Sequence, residues 1–407
     1  MTEASPAASE RRGEELRVLV ALWLLVLASS SQVLIVAPIL PRIGEALAIP
    51  EALRGTLITS YTVAQAIFAL IIGPISDRAG RRPVLLAGAG AMLVALLLHA
   101  LPGDYASMIT VRALAGAAGG LLTGVAVAYI GDYFPYNRRG WASGWVMSGF
   151  AFGQVLAIPA GTILAAAFGF RAPFLLFALP MAASFVLILV GVPQPSVRRE
   201  GGAGGVGAAL RTYAAMLRTP AIAAAALTFG LMFMAMATFA VYLPTWLENQ
   251  RGATPKEIAA MFMVGGVASV FAGPQMGRIS DRIGRKPMIV ASCLGMAALV
   301  PALPWLITEV WIAYPAFFAA MILLAMRLSP MQALLTALTP SSRRGSLLSL
   351  TVACGQLGSG AGGAAAGLLF ARYGYEANTL MTAAAMVIAA LIVALALPEP
   401  GSEGPAV

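Results

Sequence analysis

The sequence predicts an all-α membrane protein in which twelve transmembrane helices form two six-helix bundles. Three observations support this fold class. Of the 407 residues, 59% are hydrophobic and only 11% are charged, and the mean hydropathy is +0.85, which is more apolar surface than the interior of a soluble domain can bury. Twelve apolar runs are long enough to cross a bilayer. A loop sequence also recurs at corresponding places in the two halves of the chain.

Each apolar run holds roughly the 20 residues that a hydrocarbon core of about 30 Å requires. The first run follows Arg11, Arg12 and Arg17, but it is too long for the apolar region of a signal peptide, so we expect it to be retained as a helix. The predicted spans lie at about 18–40, 53–75, 83–101, 105–131, 141–168, 172–192, 221–247, 259–277, 287–307, 310–338, 345–370 and 377–397.

Lysine and arginine are distributed unevenly between the two sets of connections. The N-terminus and the connections from even to odd spans hold eighteen of them, whereas the connections from odd to even spans hold six. The positive-inside rule therefore predicts a multi-pass protein of the cell inner (cytoplasmic) membrane with both termini cytoplasmic. This topology accounts for the net charge of +9, so the charge does not indicate a nucleic-acid partner.

An internal repeat divides the chain into halves. The segment GPISDRAGRRPVLL begins at Gly73 and GRISDRIGRKPMIV begins at Gly277, with eight of fourteen positions identical. A glycine-rich linker follows the first half, and a short basic amphipathic helix at about 208–218 is expected at the cytoplasmic membrane surface. We therefore predict a cytoplasmic tail at 1–16, an N-terminal bundle at 17–192, a linker at 193–218, a C-terminal bundle at 219–397 and a cytoplasmic tail at 398–407.

Both repeat segments contain the pattern G-x-x-x-D-R-x-G-R-R/K-P. Gly80 is expected to allow a tight reversal of the chain, and the arginines to hold each loop at an anionic leaflet. The first copy consists of Gly73, Asp77, Arg78, Gly80, Arg81, Arg82 and Pro83, and the second of Gly277, Asp281, Arg282, Gly284, Arg285, Lys286 and Pro287.

Through these two motif copies the chain resembles the major facilitator superfamily from about residue 17 to 397. It resembles in particular the twelve-span drug:proton antiporter and sugar-efflux (arabinose efflux permease-like) branch. The resemblance implies a monomer whose bundles rock about a central cavity. It also implies that Asp77, Arg81 and Asp132 form a charge cluster that latches the outward-open state against the eleventh helix. The further gating and coupling residues would be Arg78, Asp281, Arg282 and Arg285.

The alternative is that these charges only set the topology. Thr339 and Pro340 stand in the second half where Asp132 stands in the first, so the second cluster should be incomplete. Two weaker family motifs are present in part. Arg112 with Gly116 matches one in the fourth span, and Gly149 with Gly153 matches the antiporter motif of the fifth span, whose proline is replaced by Gln154.

No aspartate or glutamate lies inside the twelve runs, whereas Arg112 and Arg327 do. An arginine at the centre of a bilayer costs about 2.5–3.5 kcal/mol on insertion scales, so it should face a wet cavity or a partner. We expect Arg327 to line the central cavity and to bind an anionic or polar neutral substrate. The alternative is an arginine bonded to backbone carbonyls at the Pro330 kink. Arg112 is also counted among the candidates for the substrate cavity, with a structural or gating role as the favoured alternative.

Polar side chains within the spans are the other candidates for the substrate cavity, because an amide or hydroxyl is costly in hydrocarbon unless it is bonded. Phenylalanines and methionines of 229–239 offer either an adaptable apolar wall or ordinary packing. The polar candidates are Gln32, Tyr61, Gln65, Gln154, Tyr242, Gln332 and Gln356.

These features predict a secondary transporter that moves a small molecule by alternating access. The resemblance to the efflux branch implies that the movement is outward, with protons as the candidate coupling ion. The sequence indicates no enzyme, metal site or cofactor, because Cys293, Cys354 and His99 form no cluster and no phosphate-binding loop is present. The expected partners are the substrate and the lipid bilayer. Three alternatives remain: an importer or exchanger of organic anions, a lipid flippase, and a receptor or scaffold that transports nothing.

Overall fold

The computed structural model describes residues 6–122, 124–195, 205–337 and 344–397, and within these residues it contains helices and no strand. The helices of the first half are α1 (Pro6–Leu34), α2 (Val36–Ala46), α3 (Glu51–Arg54), α4 (Thr56–Ala79), α5 (Arg81–Leu98), α6 (Tyr105–Leu122), α7 (Val125–Tyr133), α8 (Arg139–Phe152), α9 (Ile158–Phe168) and α10 (Ala172–Gly191). Those that follow are α11 (Val206–Leu217), α12 (Pro220–Ala240), α13 (Leu243–Arg251), α14 (Pro255–Ile283), α15 (Arg285–Leu306), α16 (Ala313–Ala337), α17 (Arg344–Tyr373) and α18 (Tyr375–Ala396).

Several predicted spans consist of two consecutive helices. Eleven spans in the described residues are long and apolar enough to cross a membrane. The predicted eleventh span corresponds to α17, which is 30 residues long but is not among those eleven. Glycines and Gln356 lower its hydropathy. With α17 counted, the twelve-helix all-α membrane fold predicted from the sequence is confirmed.

The helices pack into two bundles that meet along two seams. In the first bundle α1 packs on α10 and α8, and α6 packs on α4 and α5; in the second, α12 packs on α17 and α18, and α14 and α15 pack on α16. One seam joins α4 to α17, and the other joins α9 to α14. Because α17 is covered by protein on both sides, it needs less apolar surface than a helix that faces lipid.

The two repeat loops have the same backbone form. Gly80 ends α4 with φ +96° and Gly284 ends α14 with φ +104°. Residues other than glycine rarely adopt this region of backbone conformation. The reversal expected at Gly80 is therefore present in both copies. Pro220 is the first residue of α12, where its missing N–H costs no hydrogen bond.

Helix α11 lies on the inner end of the α4–α17 seam, where "inner" denotes the end that carries residues 13 and 397. Tyr213 and Met216 of α11 are buried, and the Tyr213 hydroxyl hydrogen-bonds the Leu70 carbonyl of α4 at 3.4 Å and the Ser349 side chain of α17. The helix predicted at the membrane surface therefore also bridges the two bundles.

Candidate functional site: a cavity between the bundles

A cavity of about 570 Å³ lies between the two bundles. It is built by segments of both halves, from α1, α4 and α8 on one side to α12, α14, α16 and α17 on the other. Among the described residues, no aspartate, glutamate, lysine, arginine or histidine lines it. The polar side chains of the lining are Ser29, Ser30, Tyr61, Thr62, Gln65, Gln154, Gln356 and Ser359.

Apolar side chains form the rest of the wall. On α12, Phe233, Met236, Ala237 and Ala240 face the cavity at helical spacing, whereas Phe229 is buried within the second bundle. The phenylalanines and methionines of α12 therefore serve both as an apolar cavity wall and in ordinary packing, the two roles that the sequence left open. One helical face forms the cavity wall and the other forms the bundle core.

Four of the nine predicted cavity residues line this cavity, namely Tyr61, Gln65, Gln154 and Gln356. The other five lie elsewhere, which corrects the expectation for each of them. Gln32 and Arg112 are buried inside the first bundle, Arg327 is buried inside the second, Tyr242 lies at the outer end of the seam, and Gln332 is exposed on α16.

Arg112 of α6 is fully buried and has partners on two other helices. Its guanidinium carbon lies 4.6 Å from the centre of the Tyr61 ring. Its Nη1 donates to Oε1 of Gln32 at 3.1 Å, and its Nε donates to the Leu57 carbonyl at 3.3 Å. These contacts tie α6 to α1 and α4 and hold Tyr61, which lines the cavity, from behind.

Glycines of α6 allow Tyr61 to pack this closely. A Cβ atom at Gly116 would overlap the Tyr61 carbonyl oxygen, and one at Gly119 would overlap the Tyr61 hydroxyl. The approach of α6 to α4 therefore depends on residues without a side chain. Gly116 was noted in the sequence only as part of a weak motif, and its contact with Tyr61 was not foreseen.

Arg327 is also fully buried, but among the described residues none of its three side-chain nitrogens has a hydrogen-bond partner. The ionisable side chain that interacts with the Arg327 charge is the buried Cys293 of α15. The carbonyl bonds that the sequence suggested at the Pro330 kink are not formed. Arg327 thus lies in the core of the second bundle and does not line the cavity.

Gln154 lies in a π-helical segment, Gly153–Ala157, between α8 and α9. Single π-helical turns within α-helices often mark functional sites. The segment brings the backbone of Gln154 so close to α14 that a Cβ atom at Gly266 would lie 3.0 Å from the Gln154 carbonyl carbon. The sequence showed that Gln154 replaces a family proline, but it contained no sign of this change in helix type.

The outer end of the cavity is closed by contacts between the bundles. The Tyr242 hydroxyl donates to the Glu51 carbonyl at 2.6 Å and accepts from the Gly55 N–H at 3.0 Å. Thr59 donates to the Gly360 carbonyl at 2.6 Å. Arg42 and Glu248 form an ion pair at 3.1 Å. We call these contacts the outer seal; sequence reasoning missed all of them except for naming Tyr242.

The predicted charge cluster lies at the inner end. Arg81 pairs with Asp77 at 2.5 Å and through its Nε with Asp132 at 2.7 Å, so the cluster joins α4, α5 and α7. Arg78 is exposed beside Gly205. Contacts of this cluster with the residues just before α17 lie outside the described residues.

The second copy of the motif is arranged differently. Arg285 lies 3.9 Å from Asp281 and donates to the Ala333 carbonyl of α16 at 3.2 Å, where Arg81 of the first copy meets a carboxylate. Arg282 is exposed. Thr339 and Pro340, on which the expectation of an incomplete second cluster rested, lie outside the described residues.

His99 is fully buried in the first bundle, with its ring stacked on Phe174 at a centroid distance of 4.0 Å. Its Nδ1 lies 2.6 Å from the Ala95 carbonyl. His99 therefore belongs to the packing of α5 on α10 and is separate from the cavity.

Comparison with known proteins identifies the relatives of this chain. A family model described as "Major Facilitator Superfamily" matches residues 22–306 and 225–407. The chain is 26% identical to "Multidrug resistance protein MdtG" of Enterobacter lignolyticus (strain SCF1), over 93% of this chain and 92% of that protein. It is 25% identical to "Uncharacterized MFS-type transporter YceJ" of Bacillus subtilis (strain 168), over 83% and 85% of the two chains.

Among solved structures, the fold matches the crystal structure of a D-xylose-proton symporter with a TM-score of 0.80. The match covers 96% of this chain and 99% of the other, at 19% sequence identity. At that identity the likeness concerns the fold alone. The fold of this chain is thus found in a solved structure of low sequence identity.

Proposed function

The chain belongs to the Major Facilitator Superfamily and is a membrane transporter, and we propose that it exports a small molecule by alternating access, with protons as the coupling ion. The observation that carries this proposal is the cavity itself. It lies between the bundles, takes its lining from both, and is closed at one end by contacts that join them. Rocking of one bundle against the other would open that end and close the opposite one.

The contacts between the bundles indicate from which side of the membrane the cavity is accessible. The outer seal closes the end that lies away from both termini. The lining includes Val127 and Met147, which lie in the halves of their spans nearer the inner end. We therefore assign this structure to the inward-facing state, with the inner end and both termini in the cytoplasm.

Export is supported by similarity to MdtG, whose name describes a multidrug resistance protein. The organic-anion alternative depended on a cationic residue in the cavity. Because Arg112 and Arg327 are both buried outside the lining, the structure gives that alternative little support. A proton carrier would have to be one of the inner-end carboxylates, Asp77, Asp132 or Asp281.

Transport in everted membrane vesicles tests the proposal. We expect vesicles that contain the protein to accumulate members of a panel of neutral, cationic and anionic lipophilic compounds when a pH gradient is imposed, and an uncoupler to abolish the accumulation. Movement in the opposite sense would indicate an importer. No movement of any compound beyond that in empty vesicles would indicate a receptor or scaffold and would refute transport.

A further inference from the structure

The charge distribution around the cavity restricts what it can hold, given the transport function proposed above. Among the described residues the lining carries no carboxylate, so a bound cation would have no counter-charge. The charge that lies directly behind the lining is positive, because the Arg112 guanidinium stacks on Tyr61 at 4.6 Å. Removing a monovalent cation from water into such a site is strongly unfavourable.

Aromatic rings do not compensate for the missing carboxylate. The π-face of Tyr61 is already occupied by Arg112, and a second cation on the same ring would be repelled by the first. Phe262 and Phe317 of the lining contact one another edge to face, with centroids 5.2 Å apart. The free energy gained from cation–π contacts with the remaining phenylalanines is smaller than the free energy that desolvation of a cation costs.

Amide groups from opposite bundles supply the polar contacts of the cavity. Gln154 of the π-helical segment and Gln356 of α17 both line it, and neither side chain makes a hydrogen bond within the described residues. Each amide offers two donors and one acceptor oxygen. Ser29 and Ser30 donate their hydroxyl protons to carbonyls of their own helix, so towards the cavity they present acceptors only.

We infer that the cavity selects uncharged lipophilic molecules that carry a carbonyl, phosphoryl or amide group, and that it excludes lipophilic cations. The apolar wall binds the body of such a molecule. Gln154 and Gln356 then donate to its acceptor oxygen, one from each bundle. A ligand held from both sides is also one that can couple their movement.

Three compounds of nearly the same shape test the inference directly. Triphenylphosphine oxide is neutral with a phosphoryl acceptor, methyltriphenylphosphonium is a cation, and triphenylacetate is an anion at pH 8. We expect equilibrium dialysis with purified protein to show the neutral compound bound at least about tenfold more tightly than the cation. It should also bind more tightly than the anion, because no charged side chain of the described lining offsets the desolvation of an ion and Arg112 is already bound to Gln32 and Tyr61. Equal or tighter binding of the cation or of the anion would overturn the inference.

A charge-changing variant extends the test from selectivity to its cause. Gln154→Glu places a carboxylate in the lining, and at pH 8 we expect it to gain about tenfold in affinity for methyltriphenylphosphonium. Gln250→Glu makes the same change on an exposed side chain at the outer end of α13, and it should leave all three affinities unchanged. If Gln154→Glu fails to fold, Gln356→Glu places the carboxylate on the opposite bundle and should give the same gain.

The possible outcomes separate the inference from the proposed function. Tight binding of the phosphonium to wild-type protein, with transport of cations in vesicles, would refute the selectivity and leave the transport function intact. A gain in phosphonium affinity that also appears in Gln250→Glu would show that the lining charge is not the cause, and would overturn the inference. Binding of none of the three compounds would overturn the selectivity, and the transport function would fail with it only if no compound of the panel moved in vesicles.

Discussion

Arg112 and Arg327 are both fully buried arginines of membrane-spanning helices, and their surroundings differ sharply. Arg112 stacks on Tyr61 and donates to Gln32 and Leu57. Arg327 has no hydrogen-bond partner among the described residues. A buried charge stabilises a fold only when its partners repay the loss of hydration. The two residues should therefore respond in opposite ways to the same substitution.

We predict that Arg112→Met lowers the stability of the purified protein by about 1–3 kcal/mol, because it removes charge-assisted hydrogen bonds and leaves Oε1 of Gln32 without its guanidinium donor. The same change at Arg327 should be neutral or stabilising, by up to about 1–4 kcal/mol, since it replaces an unpaired buried charge by an apolar side chain of similar length. Thermal unfolding in detergent measures both. A larger loss for Arg327→Met than for Arg112→Met would show that Arg327 has a partner in solution and would contradict the prediction.

At the scale of helices, the α4–α17 seam depends on glycine. A Cβ atom at Gly55 would overlap the Gly363 carbonyl oxygen across the seam. The backbone of Gly55 has φ −63°, which any residue adopts, so alanine is excluded there by the contact and not by the backbone. A substitution at Gly55 should therefore act on closure of the outer end.

We predict that Gly55→Ala disfavours the inward-facing state by about 1–3 kcal/mol, the usual cost of overpacking a close contact, and so raises the outward-open population. Labelling of a cysteine introduced at Ser359, in the cavity lining, by a membrane-impermeant maleimide from the outside should become faster. The control is Gly273→Ala in α14, where a Cβ atom would meet nothing within 4 Å. Equal labelling rates in the two variants would contradict a role for Gly55 in the outer seal.

The two motif loops form a second comparison at the scale of helices. Arg81 of the first copy pairs with Asp132 of α7, whose side chain is 22% exposed. In the second copy, Arg285 lies 3.9 Å from Asp281, whose side chain is 67% exposed. An exposed ion pair contributes little to stability, whereas a half-buried one that joins three helices contributes more.

We therefore predict that Asp132→Asn destabilises the protein by about 1–3 kcal/mol, and that Asp281→Asn changes its stability by less than about 1 kcal/mol. Thermal unfolding of the two variants beside wild type makes the comparison. If the first loop also gates transport, only Asp132→Asn should slow it. Equal effects of the two substitutions on stability would mean that the contact between Arg81 and Asp132 is not formed in solution.

At the scale of the whole molecule, alternating access requires the outer seal to break in every cycle. Thr59 and Gly360 face each other across the seal, and a Cβ atom at Gly360 would lie 3.6 Å from the Thr59 Cα. Because the Cβ atom of residue 59 is bonded to that Cα, cysteines at these two positions would have Cβ atoms near the separation of about 3.5–4.5 Å that a disulfide requires.

We predict that Thr59→Cys with Gly360→Cys, in a chain whose Cys293 and Cys354 have been replaced by serine, loses transport on oxidation and regains it on reduction. Binding of triphenylphosphine oxide should survive oxidation, because the cavity remains open at the inner end. Each single cysteine variant serves as a control and should transport equally before and after oxidation. Undiminished transport by the oxidised double variant, with the disulfide shown to be present, would refute alternating access through this seal.

Much of the fold could be predicted from the sequence because it depends on properties that each segment carries by itself. Apolar length determines where the chain crosses the membrane. The loop motif indicates both the internal repeat and the reversals at Gly80 and Gly284, whose backbones have positive φ. Family membership follows from the same motif. Within the described residues, the span of low hydropathy, α17, is also one of the helices that form the seams between the bundles.

The candidate site could be predicted only in part. Hydropathy shows that a polar residue lies within a span, but it does not show which neighbour its side chain faces. Gln154 and Gln356 face the cavity, whereas Gln32 faces Arg112 and Tyr242 faces the outer ends of α3 and α4. A polar group in the membrane is stabilised equally well by a wet cavity and by a partner on another helix, and the two cannot be distinguished from one chain's pattern.

The sequence by itself therefore determined the class of the protein, its helices, its internal repeat and its family. The tertiary structure decided that the cavity lacks charge, that Arg112 supports Tyr61 from behind, that Arg327 lies apart from the site, and that the outer end is sealed. The physical reason is that helix formation in a membrane depends on local hydrophobicity and backbone hydrogen bonding. The angle at which each side chain faces a neighbouring helix depends instead on contacts between residues far apart in the chain.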